Sequence, residues 1–320
     1  MLGRRHYRIK VLQALYAFFQ GGEIRMEVAE KNLLQSIDKM VELFYLQLSF
    51  LLEVMHFYEF RLAEGKNKFF PTETDLNPNT KLLENKLLTQ LQQNIPLQEQ
   101  IKRYKISWTE EQEMVRKVFQ KIRNSKDHLE YLNSGNHSYE EDADFFTKLY
   151  RKFIAKSPDL QFYCEEKNLY WEDDFDVAAV FILKTLKLFH VNVKETDSIE
   201  TLFHKDYEED PGDDRKFILG LFEKTILHSE EYEGLIETRT RNWELERIAM
   251  TDIILLKMAL TELIHFSQIP VKVTMNEYIE LSKKFSSNKS KQFINGILDK
   301  LVADLTADKK IKKRGRGLMT

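Results

Sequence analysis

Residues 269–305 read IPVKVTMNEYIELSKKFSSNKSKQFINGILDKLVADL, and the spacing of their apolar side chains decides the fold class. Met275, Tyr278, Ile279, Ser282 and Phe285 recur at three- and four-residue intervals, the period of one helix face. Pro270 closes the approach, and Thr274 with Glu277 predicts a capping box at the helix start. After Ser287 and Asn288 a second stripe follows, made of Ile294, Ile297, Leu298, Leu301, Val302 and Leu305. Gly296 interrupts it. An interior glycine costs about 1 kcal/mol relative to alanine, so its presence predicts close approach by the backbone of a neighbouring helix.

The same period extends outward from this hairpin. Tyr7, Val11, Ala14, Leu15, Phe18 and Phe19 form a first helix that Gly21 and Gly22 stop. Leu33, Leu34, Ile37, Met40, Val41, Phe44, Leu48, Leu51, Leu52 and Met55 predict one long helix running to Gly65 and the Pro71 to Pro78 segment. Lys81 to Leu91, Thr109 to Ile122 and Asp144 to Lys156 read as further helices. With 11 Gly and 6 Pro in 320 residues, the chain has little turn chemistry for a sheet, and an all-α fold is expected. The apolar stretch Met40 to Tyr58 contains Glu42, Gln47 and Glu53, which makes it a poor membrane span. Val11 to Phe19 follows basic residues but contains Gln13 and no cleavage site, so it reads as mature protein.

An internal self-similarity appears at an offset of 72 residues. Phe145, Leu149, Tyr150, Lys152, Ile154, Ser157, Trp171 and Glu172 correspond to Phe217, Leu221, Phe222, Lys224, Ile226, Ser229, Trp243 and Glu244. Both copies read as a helix, a polar turn, Trp-Glu and another striped helix.

Lys and Arg number 48 against 51 Asp and Glu, a net charge of −3, so any nucleic-acid site must be local. The single cysteine, Cys164, excludes an internal disulfide and a multi-cysteine metal site, fits a reducing cytoplasm, and reads as a small buried apolar residue. The acidic run Asp206 to Asp214 lacks the alternating oxygen ligands of a calcium loop, and Asp213 or Asp214 is expected to cap the next helix. Glu172 to Asp176 reads as another helix start. No glycine-rich phosphate loop, histidine ligand spacing or nucleophile motif is present, and neither catalysis nor a cofactor is expected.

The basic residues are placed unusually. Arg4, Arg5, His6, Arg8 and Lys10 crowd the start of the first helix, where the helix terminus already carries partial positive charge. A polyanion makes that placement favourable, because phosphates are drawn by side chains and helix terminus alike. Lys309, Lys310, Lys312, Lys313, Arg314 and Arg316 close the chain as a tail that composition predicts to be disordered. Phe293, beside Lys289 and Lys291, is either an edge residue of the core stripe or an aromatic available to stack on an unpaired base.

Together these segments resemble the NusB family of transcription antitermination factors. Arg4-Arg5-His6-Tyr7-Arg8 and Leu12-Gln13-Ala14-Leu15-Tyr16 are similar to that family's arginine-rich opening helix. Trp243-Glu244-Leu245-Glu246-Arg247, Leu260-Thr261-Glu262-Leu263, Ile269 to Val273, Asn276-Glu277 and Phe293 to Asp299 follow in the family's order. The resemblance implies two packed helical bundles, binding to boxA-type single-stranded RNA, the small-subunit ribosomal protein NusE as partner, and a place in the RNA polymerase antitermination complex. It carries RNA contacts to Arg4, Arg5, Arg8, Lys257 and Phe293 with its neighbours Lys289 and Lys291, and partner contacts to Tyr16 and Asp252. Gln292, where the family often has a basic residue, and His6, within the arginine run, depart from the pattern. The division expected is a discontinuous NusB-like domain over 1–22 and 213–305, a helical insertion over 23–212, and the tail 306–320. A protein-interaction scaffold that does not bind RNA is the alternative function. A NusB-like domain attached to a methyltransferase is disfavoured, since no cofactor loop accompanies it.

Overall fold

The computed structural model describes residues 3–22, 24–199, 211–240, 248–287 and 289–314. Among them there is no strand, and fifteen α-helices make up the fold. The chain divides into two compact units, residues 38–208 and residues 2–37 with 209–320. The second unit begins with α1 (Arg4–Gln20) and takes residues 26–37 of α2 (Met26–Lys66), whose remainder belongs to the first. The first unit continues with α3 (Glu73–Leu76), α4 (Lys86–Gln93), α5 (Ile95–Arg103), α6 (Gln112–Arg123), α7 (Lys126–Asn133), α8 (Tyr139–Leu149), α9 (Pro158–Lys167) and α10 (Phe175–Leu188). The second is completed by α11 (Pro211–Leu227), α12 (Ser229–Arg239), α13 (Met250–His265), α14 (Val271–Phe285) and α15 (Ser290–Ala307).

The first unit is built on α2, whose Leu43, Leu48, Phe50, Leu51, Val54 and Met55 are fully buried. By length and composition α2 is apolar enough to cross a membrane, contrary to the reading of its polar residues as interruptions, and 67% of its most apolar stretch is buried in the fold. Gln47 shows how a polar side chain is accommodated there. Its amide donates to the Phe175 carbonyl at 2.9 Å and its oxygen accepts from the Tyr150 hydroxyl at 2.6 Å, so no unmet polar group is left in the core at this position. Tyr150 opens a single π turn, Tyr150–Ile154, that extends α8. Trp171 is buried with its indole N–H on the Lys39 carbonyl at 2.7 Å, whereas its counterpart Trp243 lies outside the described residues. Cys164 is buried, which pushes its thiol up to about 12.

In the second unit, Val11, Leu12 and Leu15 of α1 share one core with Leu221 and Phe222 of α11, Leu255, Leu256 and Leu260 of α13, Tyr278 of α14 and Leu298 and Leu301 of α15. Two expectations for the C-terminal hairpin change. Helix α14 starts at Val271, directly after Pro270, so Thr274 is a buried interior residue rather than a cap. A Cβ at Gly296 would meet nothing within 4 Å, so that glycine borders open space and not a helix crossing.

The C-terminal segment is also placed, at least to Arg314. Helix α15 ends with Lys309 in the left-handed region at φ 54°, and the Lys310 N–H closes on the Leu305 carbonyl at 2.9 Å. Ile311 then packs on the unit's core, and the Arg314 N–H bonds to the Ser267 carbonyl at 3.0 Å. Charge content suggested disorder because it counts the lysines and not the single apolar anchor between them. Arg316 lies outside the described residues.

Candidate nucleic-acid interface

Glu262, fully buried on α13, organises the start of α1. Its carboxylate accepts Arg8 Nε and Nη2, both at 2.8 Å, Thr274 Oγ1 at 2.8 Å and the Tyr278 hydroxyl at 3.3 Å. A carboxylate offers about four lone-pair sites, and here all are used. Burial works against the Arg8 charge, but the bonds to Glu262 overcome it and raise the guanidinium pKa. Arg8, expected at an RNA surface, is only 2% exposed, because it faces the core side of α1 together with Val11, Leu12 and Leu15. Lys10 is buried as well.

Arg5 has the opposite environment. Its side chain is 51% exposed and forms a bidentate pair with Glu277, with Nε at 2.8 Å and Nη2 at 2.6 Å, which raises its pKa. Burial pushes the Glu277 carboxyl up, and the Arg5 bonds with the nearby Arg8 charge more than reverse this, holding it below the usual carboxylate range. Arg4 is partly exposed, with its guanidinium carbon 5.4 Å from the Phe217 ring centre.

Lys289 and Lys291 are exposed at the start of α15. Phe293 is partly buried and packs on the core, as the stripe-edge reading expects. Tyr16 is 43% exposed. Lys257 and Asp252 are both buried. Lys257 Nζ contacts Glu233 at 2.6 Å and Ser229 at 2.8 Å, lying 5.3 Å from the Phe19 ring centre. Asp252 accepts the Ser290 hydroxyl at 2.6 Å, tying α13 to the first turn of α15.

The structure therefore separates the expected site residues into an exposed set, Arg5, Lys289 and Lys291 with partly exposed Arg4 and Phe293, and a buried set, Arg8, Lys257 and Asp252, that shapes the helices beneath. Among the described residues no group of three or more His, Cys, Asp or Glu is arranged to hold a metal ion. Charge follows the division into units. The second unit carries 25 Lys and Arg against 21 Asp and Glu, a net +4, and the first carries 23 against 30, a net −7, which together give the chain's −3.

The NusB family profile matches residues 177–303. The transcription antitermination protein NusB of Salinibacter ruber is 36% identical over 140 residues, covering 42% of this chain and 87% of that protein. The chain belongs to the NusB family. The transcription antitermination protein NusB of Koribacter versatilis is 36% identical over 133 residues, 41% of this chain and 89% of its own length. That of Chloroherpeton thalassium is 34% identical over 105 residues, 33% of this chain and 50% of its own. The NusB profile begins at residue 177, within the segment read as an insertion, and does not include α1, so the sequence match, the two compact units and the expected division each draw different boundaries. Glu262 and Glu277 were not singled out as functional from sequence. A lone glutamate inside an apolar helix such as Leu260 to Leu263 was the available signal, since a buried carboxylate requires a cation.

Proposed function

We propose that this NusB-family chain is a non-catalytic antitermination factor of the cytoplasm that holds boxA-type single-stranded RNA on its second unit, together with NusE, within the RNA polymerase antitermination complex. The observation that carries the reading is the exposure of Arg5, Lys289 and Lys291 on a positively charged unit in a chain that is acidic overall. Arg5 and Arg4 at the first turn of α1 supply phosphate contacts, and the partial positive charge of that helix terminus, which has no acidic residue in its first turn, adds to the attraction. Lys289 and Lys291 bring further cations to the first turn of α15, one turn of helix or less from Phe293, and the partly exposed edge of that ring supports a base-stacking role. Arg8, Lys257 and Asp252 act from beneath, fixing the helices that present these groups. Tyr16, exposed on α1, is available to the protein partner.

Fluorescence anisotropy of labelled boxA-type RNA, with and without NusE, tests this directly. Salt-dependent binding that NusE tightens is expected. Absence of RNA binding in both conditions would leave the protein-interaction scaffold as the function.

A further inference from the structure

The two basic segments of the sequence, separated by about three hundred residues of chain, meet at one place in the second unit. Arg8 of α1 holds the Glu262 carboxylate, and Lys313 Nζ donates to the main-chain carbonyl of the same Glu262 at 3.2 Å and to that of Phe266 at 3.0 Å. A second route joins them: Arg4 lies over the Phe217 ring, Phe217 packs edge-on against Phe266 at 5.2 Å, and the Phe266 carbonyl accepts Lys313. Lys313 thus caps the C-terminus of α13, sharing the Glu262 and Phe266 carbonyls with the backbone N–H groups of Phe266 and Ile269, at the helix end where a cation is favoured.

Residues 311–314 alternate. Ile311 faces the core and Lys313 the helix end, both partly buried, while Lys312 and Arg314 are exposed, as are Lys309 and Lys310 just before them. The inward residues fix the backbone, and the outward ones form a row of cations. Burial lowers the Lys313 pKa to about 8, as fits an ammonium used for anchoring rather than for display.

We infer that the docked segment 309–314, tied through Glu262 and Phe266 to the helix that carries Arg4 and Arg5, is a second RNA-binding arm that takes backbone phosphates of single-stranded RNA through Lys309, Lys310, Lys312 and Arg314. The inference rests on the RNA-binding reading above and extends it beyond the residues the family resemblance supplies. Phosphate contacts hold a strand without reading its sequence, so the arm raises affinity for every RNA equally and leaves the preference between RNAs unchanged. Because the strap is pre-ordered, these contacts avoid the entropy of ordering a loose tail.

The full chain and a variant carrying Lys309→Gln, Lys310→Gln, Lys312→Gln and Arg314→Gln are titrated with a boxA-type RNA and with oligouridine of the same length, across a salt series. The variant is expected to bind both RNAs more weakly by the same factor, tenfold or more at low salt. The slope of log affinity against log salt should shrink by about 0.7 for each phosphate that the arm no longer neutralises. Equal affinity and slope, with the wild type binding normally, would overturn the arm and leave the main site standing. A wild type that binds neither RNA removes both readings. Competition by polyglutamate as effective as by oligouridine would overturn the assignment in favour of an acidic protein. Ile311→Asn keeps every charge and removes the inward anchor. Several-fold weaker binding is expected from it, and unchanged binding would contradict a docked arm.

Discussion

Arg5 and Arg8 lie one helical turn apart, and neighbouring residues of one type divide between an exposed pair with Glu277 and a buried pair with Glu262. Arg8→Met leaves the Glu262 carboxylate buried without its cation, and should cost about 3–5 kcal/mol in chemical denaturation. Arg5→Gln breaks an exposed pair and should cost no more than about 1 kcal/mol, while weakening RNA binding at low salt. Equal stability losses for the two would contradict the division. The basic run was legible as a candidate RNA site from its position at a helix start. Its partition was not, because no local rule states which arginine finds a buried carboxylate 254 residues further along the chain.

At the level of elements, long striped segments were the most readable feature, since a three- to four-residue period sustained over many turns leaves one solution. The apolar positions Leu33 to Met55 mark the middle of helix α2, and Gly65 marks its end, while its start at Met26 lies seven residues before the first of them. Helix starts and isolated glycines were less legible. Thr274 and Glu277 have the spacing of a capping box, but their side chains serve Glu262 and Arg5. Gly296 was read as a close crossing because helix patterns do not distinguish a tight neighbour from open space. Gly296→Ala is therefore expected to raise stability by about 1 kcal/mol in thermal or chemical unfolding, the ordinary helix preference for alanine. A loss of stability would restore the crossing. Lys309→Gly should likewise stabilise by up to about 1 kcal/mol, because Lys309 sits in the left-handed region at φ 54° that glycine adopts without strain. Differential scanning calorimetry of the single variant checks it, with an unchanged or lowered Tm as the contrary result.

Across the whole molecule, net charge separates by unit, while each unit holds a histidine that burial keeps below its ordinary pKa. His128 in the first unit is held below the ordinary imidazole pKa by burial, and His265 in the second by burial and then by the charges of Lys224 and His228. The unfolded chain takes up these protons near pH 6.5 while the folded chain resists, so their contribution is present above that pH and is lost as pH falls below it. Denaturation midpoints should drop between pH 7.5 and pH 5.5, and His128→Gln with His265→Gln should flatten that drop. An identical pH response in the double variant would show that other groups govern it. The net +4 of the second unit and net −7 of the first predict where a polyanion would bind, since like charge disfavours the first unit and opposite charge favours the second. The most direct measurement is photocrosslinking of a boxA-type RNA carrying 4-thiouridine to the full chain, with the crosslinked peptides mapped. Crosslinks are predicted in the first turn of α1, the start of α15 and residues 309–314. Crosslinks concentrated in residues 38–208 would contradict the account.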